Sequence, residues 1–214
     1  MYPAPYPGTN MNIVITVFAV LFAAISATEA SGEVKCTQLY TGTLALVQNQ
    51  PMRSQGVGIS KDPIEKFGRQ MLLYNENQAS SHDVTFSACE VPGQPDPSGE
   101  HLPNDQYGRL ELNEKPGTCL AHFAADEEHQ VVLGLEPCRD TADEKQKHQW
   151  FLANWNGESD SAELNAINAD VTEYYSQWSS QIEESKHVLT VRSAHFPGGH
   201  YQWFRLKNTK KTEN

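Results

Sequence analysis

Apolar side chains recur at every second position in several short stretches of this chain. Leu44 and Leu46 alternate in Gly-Thr-Leu-Ala-Leu-Val, Val57 and Ile59 in Gly-Val-Gly-Ile-Ser, and Val84, Phe86 and Ala88 just before Cys89. Leu110 and Leu112 continue the series, then Val131, Leu133 and Leu135 before Cys138, then Leu189 and Val191. A period of two sends one row of side chains to a buried face and the other to solvent, which marks a strand. Clusters of Gly, Pro, Asn and Asp between these stretches predict turns. Pro92, Pro95, Pro97 and Pro103 make the segment 92–103 an irregular loop. One segment departs from the pattern. Asp170-Val171-Thr172-Glu173 has the form of a capping box, and Val171, Tyr174, Tyr175, Trp178 and Ile182 follow at steps suited to an amphipathic helix. A short helical insertion is therefore predicted over 170–184, with an irregular aromatic loop as the alternative.

The strand pattern repeats. Val132-Leu133-Gly134-Leu135 is followed by Gln149-Trp150-Phe151, and Val188-Leu189-Thr190-Val191 by Gln202-Trp203-Phe204. The two tryptophans lie 53 positions apart. The first repeat contributes only a strand ending in cysteine, Phe86-Ser87-Ala88-Cys89, matched to Leu135-Glu136-Pro137-Cys138. A single unit of roughly 50 residues in short strands cannot bury its own apolar face, whereas several stacked together can. Three such units about a pseudo-threefold axis predict an all-β fold, a β-trefoil.

Residues 108–151 carry a more specific signal. A turn leads into a strand with Cys119, an alternating strand ends at Cys138, and a polar loop precedes Gln149-Trp150-Phe151. This resembles one repeat of the ricin B-type lectins, and Thr-Gly-Thr-Leu-Ala-Leu-Val after Cys36 resembles secreted fungal ricin-B-like proteins. The resemblance is best over 108–155, visible at 186–206 and faint at 36–90. It implies a β-trefoil that binds extracellular carbohydrate without catalysis. In that family each repeat ends in Gln-x-Trp, so the resemblance places Trp150 and Trp203 in the core. His148 and Tyr201 stand where the family has Gln, with Gln149 and Gln202 one place late. The family's early Asp is also missing, since Leu120, Ala121, His122 and Phe123 follow Cys119. The partial sugar-binding set in repeat two is His122, Asp140, Asn154 and Trp155. Those types suit a sugar, which needs an aromatic face for its C–H groups and polar groups for its hydroxyls. Tyr174, Tyr175 and Trp178 form a second candidate. The departures also motivate a rival: a trefoil with decayed sugar sites that acts on a protein, such as a protease inhibitor or a host-interacting effector.

The N-terminus bears on compartment. Ile13 to Ile25 is an apolar run broken by Thr16 and followed by Ser26-Ala27-Thr28-Glu29-Ala30. That predicts a leader and secretory signal over 1–30, cleaved after Ala30, with an uncleaved anchor or a buried segment as alternatives and Met11 as an alternative start. The run is shorter than a membrane span requires, so no stable membrane insertion is expected once it is removed. The trefoil domain is then 31–214. Loss of Glu29 changes the formal charge from −11 to −10, which disfavours nucleic acid as a partner. Four cysteines, Cys36, Cys89, Cys119 and Cys138, lie beyond the leader and indicate disulfides. Of three possible pairings, Cys36–Cys89 with Cys119–Cys138 is chosen because each pair brackets neighbouring strands. Eight histidines are scattered without metal-ligand or catalytic spacing. No metal, cofactor or catalytic residue is therefore expected. His195 and His200 flank Phe-Pro-Gly-Gly, which predicts a turn.

Overall fold

The computed structural model describes residues 32–49, 52–74, 82–90, 105–125, 129–141, 146–155, 160–167, 174–193 and 202–212. The leader over 1–30, the loop over 92–103, and His195 with His200 lie outside these residues.

The alternating stretches form strands, twelve in all among the described residues. They are β1 (Lys35–Asn49), β2 (Met52–Ile59), β3 (Leu72–Tyr74) and β4 (Asp83–Glu90). Next come β5 (Asp105–Leu112), β6 (Thr118–Ala124), β7 (Gln130–Pro137) and β8 (Phe151–Trp155). The last four are β9 (Ala162–Ile167), β10 (Tyr174–Glu183), β11 (Lys186–Ser193) and β12 (Gln202–Lys211). Each group of four is one repeat. The first and last strands of each repeat close a ring, β1–β4–β5–β8–β9–β12 and back to β1, antiparallel throughout. The middle pairs, β2–β3, β6–β7 and β10–β11, are hairpins over one end of this barrel. Their inner strands meet pairwise about the axis, at Val188↔Leu73, Thr190↔Val132 and Met71↔Gly134. A six-stranded barrel capped by three hairpins is a β-trefoil.

The inward row of each barrel strand is apolar and buried: Leu44, Leu46, Val84, Phe86, Leu110, Leu112, Phe151, Ala153, Leu164, Phe204 and Leu206 belong to one cluster. A smaller cluster of Ile64, Met71, Val132 and Val188 packs with Phe67 and Phe123 in the cap. Gly108 faces the inside of β5, where a Cβ would lie 2.0 Å from the Ser87 carbonyl oxygen and 2.8 Å from Phe86 Cζ. Only a residue without a side chain lets β4 and β5 approach there.

Both disulfides form as chosen. Cys36 and Cys89 face each other across β1 and β4, and Cys119–Cys138 ties the start of β6 to the end of β7. Two disulfides are compatible with an extracellular protein.

The described part of the helix expected over 170–184 is a strand, β10. Its helical look has two causes. Tyr175 pairs with Ser193 but Gln177 with Arg192, so one extra residue is inserted between them. That bulge puts Tyr175 and Trp178, three apart, on the same buried face, a spacing otherwise typical of helices. The hairpin then turns through Glu184 and Ser185 at positive φ (48° and 63°), without the Gly or Asn that usually announces such a turn. Contacts to the loop before β3 hold the tip: Glu184 Oε1 accepts from the Glu65 backbone N–H at 2.7 Å, and Lys66 pairs with Glu183 at 2.6 Å.

Candidate carbohydrate site

Repeat two is fastened by one glutamine. A 3-10 turn, Gln146–Gln149, enters β8, and Gln149 is 1% exposed. Its Nε2 donates to the Pro137 carbonyl at 2.8 Å, and its Oε1 accepts from the Arg139 N–H at 3.1 Å. The amide therefore straddles Cys138 and ties the end of β7 to the start of β8. Gln149, one place later than the Gln of the Gln-x-Trp pattern, thus holds the backbone on both sides of Cys138. Gln149→Ala would leave a carbonyl and an N–H without this partner, at a cost of about 2 kcal/mol. Urea unfolding would show it, and an unchanged midpoint would remove the clamp from the account.

The four predicted sugar residues do not converge. His122 is buried on β6, its ring centroid 6.1 Å from that of Phe151 at the start of β8. Trp155 ends the same strand, four residues on, or about 13 Å away along it. Its ring points inward and packs against Tyr40, tilted by 34° with centroids 4.0 Å apart, with Phe86 edge-on at 6.2 Å. Trp155 thus plugs the uncapped end of the barrel. Asn154 faces outward from the adjacent position, where its Nδ2 donates to Asp105 on β5. Asp140 accepts from Arg109 Nη1 at 2.7 Å, while the Arg139 carbonyl accepts from the same nitrogen at 3.1 Å. That pair braces the segment after Cys138 against β5. Two members serve the interior and two are spent on separate outer contacts, so they share no cleft. Phe123, beside His122 on β6, has the Arg69 guanidinium 3.8 Å over one face of its ring.

The second candidate is also structural. Tyr175 and Trp178 are buried, and Trp178 donates from Nε1 to the Val47 carbonyl at 3.3 Å while stacking on Tyr74 at 5.0 Å. The Tyr174 side chain lies outside the description. Among the described residues, no group of three or more His, Cys, Asp or Glu is placed to hold a metal ion.

No family model and no curated protein matches the chain. Among the solved structures that match it are two mutants of Gallus interleukin-1 beta. Their TM-scores are 0.43 and 0.41 at 8% and 9% identity, over 84% and 83% of this chain and 99% of each of theirs. A likeness of that size says nothing about function, and the trefoil stands on the closed ring of strands and its hairpin cap.

The two Trp-Phe pairs reveal a difference between repeats. Phe151 and Phe204, not the tryptophans before them, point into the barrel. Trp150 is nevertheless buried, whereas Trp203 is half-buried on the outer face of β12, with the Arg205 guanidinium 5.1 Å over its ring. Placing Trp203 in the core is corrected accordingly. Strict alternation carries the reason, since adjacent residues on a strand cannot both face inward.

Proposed function

We propose that the protein is a secreted, non-catalytic carbohydrate-recognition trefoil of the ricin B-like type. The observation that carries this is the Gln149 clamp beside buried Trp150, in the repeat closed by Cys119–Cys138. A glutamine in this place, one residue after the Gln position of the resembled repeats, supports that reading. The glycan contacts lie outside the repeat-two set, whose side chains are committed elsewhere. The protein as secreted from a eukaryotic host, its disulfides verified by non-reducing peptide mapping, should show saturable binding to one glycan class on an array. A silent array with folded protein would retire the reading.

A second reading has a specific observation behind it. His122 and Trp155 pack in the interior, while Asn154 and Asp140 are paired with Asp105 and Arg109. A trefoil whose predicted repeat-two set does not converge suits a protein partner. Inhibition of serine or cysteine proteases would favour it, because a lectin should inhibit neither.

A further inference from the structure

We propose that the outer face of β12 is a binding strip for a linear polysaccharide bearing uronate carboxylates. This rests on the carbohydrate reading above and names its ligand class. Trp203, Arg205 and Lys207 pair with Val47, Ala45 and Thr43 of β1, while the alternate residues Phe204 and Leu206 face the barrel. Strict alternation would turn Lys210 inward with them. It does not, because Lys210 pairs with Thr41 after a register shift that places an extra residue opposite Gly42. Asn208, at φ 54°, lies in that irregularity. A Cβ on Gly42 would come within 2.8 Å of Leu206 Cγ and the Lys207 carbonyl oxygen, so the bulge needs glycine across from it. One aromatic ring and three cations thus stand in file along roughly 20 Å of strand. The β1 residues beside them are small, and Val47 and Ala45 are buried under the strip.

Charge selects the occupant. The chain carries −11 formally, yet this face has a run of bases, with Lys207 donating to the neutral Ser54 hydroxyl at 3.2 Å. Carboxylates border it on both sides. Glu163 lies opposite Arg205 on β9, and Asp83 accepts from Thr43 Oγ1 at 2.7 Å. A densely phosphorylated or sulfated chain would meet those carboxylates and the net negative charge of the protein. A single chain with at most one carboxylate per sugar would meet less of that repulsion. Trp203 supplies an edge or face for pyranose C–H groups, and Arg205 a planar fork for a carboxylate.

The test is titration of the secreted full chain with oligogalacturonate, with dextran and heparin as comparison probes and a neutral glycan array alongside. Binding to oligogalacturonate should weaken about tenfold or more in Arg205→Gln/Lys207→Gln/Lys210→Gln, since three charge contacts of modest size are lost together. Trp203→Ala should weaken it as well. Lys61→Gln/Lys115→Gln, which removes two bases elsewhere, should leave it within about twofold of the parent. Equal weakening in that control, tighter binding to heparin, or no binding to oligogalacturonate overturns the strip. If neutral glycans bind and ignore the triple substitution, the strip falls and the carbohydrate reading stands. Silence on every probe removes both.

Discussion

Gly108→Ala is expected to cost about 3 kcal/mol or more, a large part of the stability of an ordinary domain. The added methyl would have to occupy space 2.0 Å from the Ser87 carbonyl oxygen, which is backbone and cannot rotate away. Relief requires β4 and β5 to part where Ala88 pairs with Gly108, and Phe86 sits 2.8 Å from the same point. The ring has no slack to take up that movement, because β5 is also held on its other side by β8. In urea the midpoint should fall by about 1 M or more. Gly117→Ala is the matched control. Gly117 has φ 78° but open space around its Cβ position, so only conformational strain of about 1 kcal/mol is expected. If the two substitutions cost the same, the close approach of β4 and β5 is not what Gly108 serves.

The second large effect is loss of the Cys36–Cys89 bridge. It closes a loop with a separation of 53 residues, against 19 for Cys119–Cys138. Chain-entropy reasoning gives about 4 kcal/mol for the first and about 3 kcal/mol for the second, as upper estimates. Cys36→Ala/Cys89→Ala should therefore lower stability more than Cys119→Ala/Cys138→Ala. The site adds to the effect, since the first bridge joins β1 and β4 at the end of the barrel away from the three hairpins. Parallel urea titrations of the two double variants would check the order. A cost below about 1 kcal/mol for the first pair would mean that the unfolded chain already holds these strands close.

Much of the architecture was legible in the sequence because trefoil strands announce themselves by alternation. Val132–Leu135 and Val188–Val191, matched as repeats, are equivalent cap strands β7 and β11. The match of Phe86–Cys89 to Leu135–Cys138 paired unlike elements, a barrel strand with a cap strand; a shared cysteine outweighed position in the repeat. Cysteine pairing was legible because each pair flanks adjoining strands. The helix over 170–184 was misread because a bulge and a turn through Glu184-Ser185 imitate helical spacing. The sugar set failed for another reason. Residue type said that His122, Asp140, Asn154 and Trp155 could hold a sugar, but convergence depends on which face each strand presents. Trp155 shares parity with Phe151 and Ala153, and that parity could have placed it inside. The Lys210 face could not have been found from alternation, since it depends on a bulge that only the pairing reveals.

The pairing of β1 with β12 also has a kinetic meaning. It joins Tyr40 to Lys211, positions nearly the whole described chain apart, and it is the last closure of the ring. During synthesis β1 emerges first and must wait for β12, with one edge unsatisfied, until Gln202–Lys211 follows. Contacts so distant along the chain slow folding, and exposed edges in the interval invite association with other chains. The fold is thus sealed by its final strand, and expression in a crowded compartment will depend on how well the open barrel is shielded until then.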